Sequence, residues 1–273
     1  MNERVAMVER ACYEMKLKAL EMASKTSFGA HIGGGFSAME ILASLYDIAN
    51  IPSMTDESRD RIIISKGHCV LAYYTALWQK GYITESELDT FETDGTKFHG
   101  HPHRDLSKGI EFSGGSLGLG LSYAVGVAKA CKEKGLKNKV YVLVGDGELD
   151  EGIAWEALMS IPHFGLDNMV IIVDRNGYQL DGKTEDVLNL GRLDKKFEAF
   201  GFCVDTVDGH SLEVLCETLT KESCGPRVII ANTVKAHGIS FLENNKMSHQ
   251  CLLSSKKYIQ AVEEIKQAYG YEL

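Results

Sequence analysis

The chain has 273 residues, of which 44% are hydrophobic and 25% charged, and its formal net charge is −9 at pH 7. This composition argues against a general nucleic-acid-binding surface, because the basic face that neutralises phosphates is missing. No apolar run reaches membrane-spanning length, which argues against a membrane-embedded chain. Four prolines and no Ser/Gly-rich tract leave no evident linker, so we predict one domain over residues 1–273.

Cysteine usage and the first residues bear on the cellular compartment. The seven cysteines are scattered singly, without a C-x-x-C pair, so neither a zinc site nor a disulfide framework is predicted. Reduced, buried thiols fit this pattern. Residues 1–25 carry charges throughout and lack the apolar segment of a signal peptide. We therefore predict a cytoplasmic protein.

Helical and strand patterns alternate along the whole chain. Apolar residues recur at helical spacing over residues 3–25, which predicts an amphipathic first helix. Further helices are predicted at 38–49, 70–79, 121–134, 211–221 and 254–269, with an acidic helical segment directly after Gly147 and up to Glu156. Strands are predicted at 61–65, 140–144, 169–174, 202–207 and 227–233. Apolar strands without polar alternation are typical of a mostly parallel sheet covered on both faces. The sequence thus predicts a doubly wound, Rossmann-like α/β fold.

Two neighbouring strand ends carry candidate metal ligands. The strand 140–144 runs into Gly145-Asp146-Gly147, where the glycines let backbone approach a phosphate and Asp146 offers the hard anionic oxygen that Mg²⁺ or Ca²⁺ prefers. Asn176 follows the next strand, thirty positions after Asp146 (176 − 146), which is the length of one β-α-β unit. Asp-Gly and Asn-Gly are also ordinary turn dipeptides. Their spacing by one crossover favours a shared ion between the two strand ends.

Several loops present histidines. His31 precedes a run of three glycines, and the strand 61–65 breaks at Lys66-Gly67-His68. His99, His101 and His103 lie within five residues, but without a remote fourth ligand they are a weak zinc signal, and contacts to phosphate or hydroxyl groups are at least as compatible. His31 could donate a hydrogen bond to an anion that approaches the glycine backbone. Alternatively, it faces solvent on a flexible loop.

Two more segments resemble binding loops. The glycine-rich turn 113–120 imitates a dinucleotide fingerprint but lacks a strong preceding strand, so a nicotinamide site is a poor fit. A cofactor pressed against its exposed backbone is compatible with the pattern. Residues 235–249 form a polar loop beyond the last strand, at the kind of position where function is commonly found.

Six short motifs occur in the order found in transketolases. They are residues 30–34, 65–68, 100–102, 115–118, 145–147 together with Asn176, and 243–249. The chain resembles the amino-terminal, diphosphate-binding half of a transketolase, specifically the split type in which two polypeptides share the work. The resemblance implies thiamine diphosphate (TPP) as cofactor, with Mg²⁺ (or Ca²⁺) held by Asp146, Asn176 and the backbone carbonyl of Tyr178.

The resemblance also implies roles for further residues. His31, His101 and His249 would face the substrate channel as catalytic groups. The implied cofactor-binding residues are His68, Gly115, Leu117, Asp146, Gly147, Glu151, Asn176 and His249. Among them, Leu117 would pack beside the aminopyrimidine. Glu151, with Glu156, is similar to the family's acidic pair at the subunit interface, although a solvated pair is the alternative.

The resemblance implies a partner as well. The pyrimidine-binding and carboxy-terminal domains would reside on a second subunit, in an α₂β₂ assembly, and the chain alone would be inactive. The implied reaction transfers a two-carbon ketol unit from a ketose to an aldose. Alternatives are a TPP-binding subunit of a 2-oxo acid dehydrogenase, an enzyme similar to 1-deoxyxylulose-phosphate synthase, and a non-catalytic partner. Ala30 and Leu119 depart from the family pattern, so a specialised phosphorylated or sulfonated sugar stays open.

Overall fold

A five-stranded parallel sheet forms the centre of the computed structural model, which describes residues 3–223 and 225–270. The strand order is β1-β2-β3-β5-β4, and all four ladders are parallel. The strands are β1 (Arg61–Ile64), β2 (Val140–Gly145), β3 (Met169–Arg175), β4 (Cys203–Asp208) and β5 (Arg227–Asn232). Because β2 and β3 pair directly, their carboxyl ends meet at one edge of the sheet.

Eleven α-helices lie in the described part of the chain. They are α1 (Glu3–Lys25), α2 (Ile32–Phe36), α3 (Met39–Ile48), α4 (Val70–Gln79), α5 (Glu85–Leu88), α6 (Leu119–Glu133), α7 (Gly152–His163), α8 (Thr184–Val187), α9 (Leu193–Ala199), α10 (Leu212–Thr220) and α11 (Ser255–Tyr269). Among residues 3–223 and 225–270, no helix combines the length and apolarity needed to cross a membrane.

Alternate side chains of the strands enter two separate cores. Tyr141 and Leu143 of β2 pack with α1, α3, α4, α10 and α11 on one face of the sheet. Val142 and Val144 pack with α6, α7 and α9 on the other. Each buried aliphatic side chain contributes roughly 1.5–3 kcal/mol, so the two-sided burial fixes the register of the strands. The doubly wound α/β prediction is confirmed.

The bounds of the long elements follow the sequence pattern closely, and the short ones do not. Helix α6 begins at Leu119, two residues before the predicted start, and the acidic segment after β2 forms a 3₁₀ turn, Gly147–Asp150, before α7. Helix α2 has the sequence Ile-Gly-Gly-Gly-Phe and is entirely buried. Glycine disfavours helix by about 1 kcal/mol per residue relative to alanine, so packing rather than propensity holds α2.

The cysteine prediction is largely confirmed. Cys12, Cys69, Cys131 and Cys216 are free thiols, and all four are buried. Cys203 and Cys251 are only half-buried, which corrects the expectation of uniformly buried thiols. Cys224 lies outside the described residues.

Candidate active site

Asp146 and Asn176 stand at the carboxyl ends of β2 and β3. The Asp146 carboxylate accepts hydrogen bonds from the backbone N–H of Gly147 (2.9 Å) and Gly177 (2.8 Å) and from Thr184 Oγ1 (3.2 Å). Asn176 Oδ1 accepts the N–H of Tyr178 at 3.1 Å. Both side chains are buried. These hydrogen bonds connect the end of β2 to the end of β3 and to the loop that follows β3.

A cavity of about 230 Å³ opens above these strand ends. It is lined by most of the predicted site residues, namely His68, His101, Gly115, Leu117, Asp146, Gly147, Asn176, Tyr178 and His249. Segments from six separate parts of the chain therefore converge on one space. Glu148, Gln179 and Leu180 line it too, and none of these three was predicted as a site residue.

The chemistry of these donors fits a hard divalent cation. A carboxylate, an amide oxygen and the Tyr178 carbonyl are the ligand types that Mg²⁺ and Ca²⁺ take in proteins. Asn176 Nδ2 donates to Ser37 Oγ at 3.3 Å, so the amide is oriented with its nitrogen toward Ser37. Burial, with the neighbouring Asp174 carboxylate, raises the pKa of Asp146 to about 6. A cation at Asp146 would relieve that unfavourable charge.

A buried ion pair lies beneath the two candidate ligands. Lys66 Nζ is hydrogen-bonded to the carboxylate of Asp174, and both side chains are completely inaccessible. The same carboxylate accepts from Ser37 Oγ at 2.6 Å and from Thr233 Oγ1. Burial alone would lower the pKa of Lys66, but Asp174 holds this pKa above its usual value. The pair joins β3 to the loop after β1, directly below the cavity.

Glu148 ties the glycine-rich turn to β2. Its carboxylate accepts from Ser65 Oγ, from the N–H of Gly118 (2.7 Å) and from the N–H of Gly145 (3.0 Å). The side chain is buried, which raises the pKa of Glu148. These bonds bring the turn carrying Gly115 and Leu117 over the end of β2, so the acidic residue that organises the site is Glu148.

Glu151 lies elsewhere. It is exposed, just before α7, and it does not line the cavity. Its Cβ lies against the position that a Cβ at Gly118 would take, at 3.3 Å, so it flanks the glycine-rich turn from outside. Glu156 is also exposed on α7. Their predicted role at a subunit interface stays a prediction.

Four histidines form a cluster, of which His68, His101 and His249 line the cavity and His31 packs against them from outside it. The ring centroid of His31 lies 5.2 Å from that of His101, 5.4 Å from that of His249 and 6.0 Å from that of His68. The rings of His68 and His249 are 5.3 Å apart. This approach depends on Gly34, because a Cβ there would lie 2.6 Å from Cδ2 of His68.

The clustered imidazoles are neutral near pH 7. Burial, followed by the positive charges that the neighbouring rings and lysines would present, lowers the pKa of His31 and of His249 to about 4. The same causes hold the pKa of His68 well below its usual value, and burial lowers that of His101. These side chains therefore serve as hydrogen-bond donors and acceptors, and the positive charge of the site comes from its lysines.

Lys235 is a site residue that sequence reasoning did not single out. It is 1% exposed, and its Nζ lies 3.2 Å from the carbonyl oxygen of Gln179 and 3.5 Å from Nδ1 of His249. Burial and the nearby Lys66 lower the pKa of Lys235 to about 8. Its position in the polar loop after β5 was the available signal. The pattern could not show that the side chain turns inward.

These features are typical of a cofactor-binding α/β domain, in which ligands bind at the carboxyl ends of parallel strands. Residues 9–273 match the family model described as "Transketolase, thiamine diphosphate binding domain". The chain therefore belongs to the transketolase family. This membership sets aside the 2-oxo acid dehydrogenase and 1-deoxyxylulose-phosphate synthase alternatives.

Relatives and solved structures agree with this membership. The chain is 40% identical over 264 residues to an apulose-4-phosphate transketolase subunit from Actinobacillus succinogenes, covering 95% of this chain and 96% of the relative. It is 36% identical to a 6-deoxy-6-sulfo-D-fructose transketolase subunit from a Clostridium species, covering 97% and 98%. The transketolase structure from Campylobacter jejuni superposes with a TM-score of 0.86 at 28% identity, over 100% of this chain and 44% of that one.

Proposed function

We propose that this chain is the diphosphate-binding subunit of a two-polypeptide transketolase, which transfers a two-carbon ketol unit from a ketose to an aldose with TPP and Mg²⁺. The observation that carries the proposal is the cavity shared by Asp146, Asn176 and Tyr178 with the histidine cluster. Asp146, Asn176 and Tyr178 would hold a diphosphate through its divalent ion, and the histidines would face a sugar. The family match supports the cofactor class.

The strand ends would hold the cofactor's charged tail. Asp146, Asn176 and the Tyr178 carbonyl would ligate Mg²⁺, with Gly147 leaving room for backbone approach. Gly115 has φ +136° and nothing nearer than 4.0 Å to the position of an added Cβ, so its turn leaves open space toward the cavity. When bound, TPP supplies the electron sink that allows the C2–C3 bond of a ketose to break.

The histidines would handle hydroxyl and carbonyl oxygens of the sugar. A neutral imidazole can take a proton from one oxygen and return it to another. Lys235 Nζ lies toward Nδ1 of His249, and an ammonium can only donate. Nδ1 is therefore the accepting nitrogen, and the ring proton resides on Nε2 of His249. That N–H is a donor for charge that develops on a sugar oxygen.

The substrate class is an anionic ketose and an aldose acceptor. Relatives that match over almost their whole length are named for apulose 4-phosphate and for 6-deoxy-6-sulfo-D-fructose. A phosphate and a sulfonate are both tetrahedral anions at the end of a sugar. Assaying both sugar classes, with glycolaldehyde transfer to an aldose as readout, distinguishes a phosphate enzyme from a sulfonate enzyme.

A second subunit carrying the pyrimidine-binding domain completes the proposal, in an α₂β₂ assembly. The relatives' names, which include the word "subunit", support a divided enzyme. We expect glycolaldehyde transfer when this chain is copurified with such a subunit, TPP and Mg²⁺, and none from either chain alone. Turnover by this chain alone would contradict the proposal that both subunits are required. A fully assembled but inactive complex would instead favour a non-catalytic role for this chain. Cytoplasmic location stays a prediction.

A further inference from the structure

A second cluster of titratable groups lies behind the candidate active site. Glu40 of α3 is 3% exposed, and its Oε1 bonds to Nζ of Lys16 on α1 at 2.6 Å. Its Oε2 lies 3.1 Å from Nδ1 of His210, in the loop between β4 and α10. The ring of His237 stacks on that of His210, with centroids 3.7 Å apart. None of these four side chains lines the cavity.

The hydrogen bonds fix the protonation of His210. Its Nε2 accepts the backbone N–H of Val234 at 2.8 Å, so the ring proton is on Nδ1 and is donated to Glu40. Although burial opposes it, Lys16 and then His210 lower the pKa of Glu40 to about 2. Glu40 is therefore an ionised acceptor that orients His210, and His210 in turn holds one backbone group of the loop after β5.

The carboxylate and the two imidazoles also have the ligand types of a metal site, since their ligand atoms all lie within 4.8 Å of one another. The bonding opposes that assignment. The ammonium of Lys16 already neutralises Glu40. His210 would have to lose its Nδ1 proton while Nε2 still accepts from Val234, and that would require an imidazolate. The arrangement fits a positioning network better than a cation site.

The loop after β5, which His210 contacts at Val234, is restrained by further contacts at Lys235 and Ala236. Ala236 has φ +61°, a strained conformation for a residue with a side chain, and its N–H donates to Gly33 O at 3.0 Å. The carbonyl of Lys235 accepts the N–H of Asn244 at 3.1 Å. A Cβ at Gly33 would lie 2.9 Å from Cε of Lys235. The path of the Lys235 side chain is therefore confined, and a shift of its backbone would displace its ammonium group.

We propose that the Glu40–His210 pair positions the loop that carries Lys235 and thereby sets the Lys235 ammonium against His249 at the candidate active site. His210 is a positioning residue: it contacts Val234, the neighbour of Lys235, and does not line the cavity. The inference deepens the proposed function, because it concerns the site assigned there.

The test measures Lys235 in the isolated chain, without cofactor or partner. Competitive labelling with trace acetic anhydride, read by peptide mass spectrometry across pH, gives the midpoint at which Lys235 deprotonates. Groups that face this ammonium are Lys66, Asp146, Asp174 and His249. In the wild type we expect a midpoint near the lowered pKa of Lys235, about 8. His210→Ala frees the loop, so the midpoint should rise by about one pH unit or more toward the usual value of a lysine.

Two variants separate positioning from general destabilisation. His210→Gln supplies an amide oxygen that can accept the Val234 N–H, and it should keep the midpoint within about 0.3 of the wild type. Asp205→Ala breaks the partly buried ion pair with Arg227 (2.7 Å), at the amino-terminal end of β5, and it should lower stability without moving the midpoint. The proposal is overturned if His210→Ala leaves the midpoint unchanged, if all three variants shift it alike, or if Lys235 is unreactive in both wild type and His210→Ala.

The assembled enzyme gives a second readout. If His210 acts through Lys235, adding His210→Ala to Lys235→Met should cost less than about a further twofold in kcat/KM, whereas independent effects would multiply. Multiplying losses contradict the proposal. Failure of ketol transfer in the wild-type assembly would instead contradict the proposed function, while the labelling result on the isolated chain would still decide the role of His210.

Discussion

Two glutamates three positions apart have opposite environments. Glu148 is 2% exposed and accepts three hydrogen bonds, whereas Glu151 is exposed at the start of α7. A buried carboxylate with several donors around it cannot be replaced without leaving donors unpaired. The difference gives a matched pair of substitutions for testing which acid organises the glycine-rich turn.

Glu148→Gln should destabilise the chain by about 1–3 kcal/mol, because an amide NH₂ would face at least one of the donors that Glu148 now accepts. The free energy of unfolding, measured by urea denaturation, checks this. Glu151→Gln is the control and should stay within about 0.5 kcal/mol of the wild type. Equal losses in the two variants would show that the bonds of Glu148 do not secure the turn.

The histidine cluster makes stability depend on pH. The pKa of His31 is lowered to about 4 in the folded chain, against 6.5 for an unperturbed histidine. Between these values the unfolded chain binds a proton that the folded chain does not. The stabilisation is therefore complete above pH 6.5 and is lost as the pH falls toward about 4.

His31→Asn should flatten this dependence. The free energy of unfolding, measured by urea denaturation at pH 7 and pH 5, should fall less in the variant than in the wild type, because one buried neutral imidazole has been removed. An equal fall in both proteins would mean that His31 is already protonated in the folded chain at pH 5.

Site residues that directly follow an apolar strand pattern or a glycine motif could be predicted from the sequence. Asp146 and Asn176 follow buried strands, and the glycine motifs mark His31 and His68, so their convergence on one edge could be predicted from the parallel topology. Lys66, Glu148 and Lys235 were not predicted as site residues. A charged residue in a polar loop usually faces water, and only the folded packing shows that these side chains turn inward.

At the scale of elements, the pair Lys66–Asp174 connects the loop after β1 to the end of β3. Both side chains are completely buried, and Asp174 also holds Ser37, the residue that orients Asn176. Removing one partner leaves the other charge buried and uncompensated. The pair therefore couples the stability of the sheet edge to the geometry of the candidate metal site.

Lys66→Met should lower the free energy of unfolding by about 3–5 kcal/mol, the cost of leaving a buried carboxylate unpaired. The exposed pair Lys129–Glu133 on α6 is the control, and Lys129→Met should cost no more than about 0.5 kcal/mol. Chemical denaturation of the three proteins gives both values. A Lys66→Met protein as stable as the control would show that Asp174 is satisfied without its partner.

Most long helices were predicted from apolar spacing over ten or more residues, which outweighs local propensity. The five strands were predicted from short apolar runs without polar alternation. The short helices α2 and α9 were not. The three glycines of α2 disfavour a helix, and four to seven residues carry too little periodicity to be recognised. These short elements nevertheless shape the site, since α2 presents Gly34 to His68.

At the scale of the whole molecule, the candidate site lies at the carboxyl ends of the parallel strands. Two cores on opposite faces hold the strands in register, and the strand ends, the glycine-rich turn and the loop after β5 converge above them. The proposed cofactor would lie at these strand ends, between this chain and its proposed partner. The proposed function therefore depends on a divalent ion shared by the ends of β2 and β3.

A crystal structure of the chain with its partner, grown with TPP and Ca²⁺, tests that dependence most directly. Anomalous scattering locates the ion without reference to the rest of the map. We expect it within about 2.3–2.6 Å of oxygen atoms from Asp146, Asn176 and the Tyr178 backbone, bridged to the diphosphate. An ion bound away from these groups, or a diphosphate held with no ion between the two strand ends, would contradict the account.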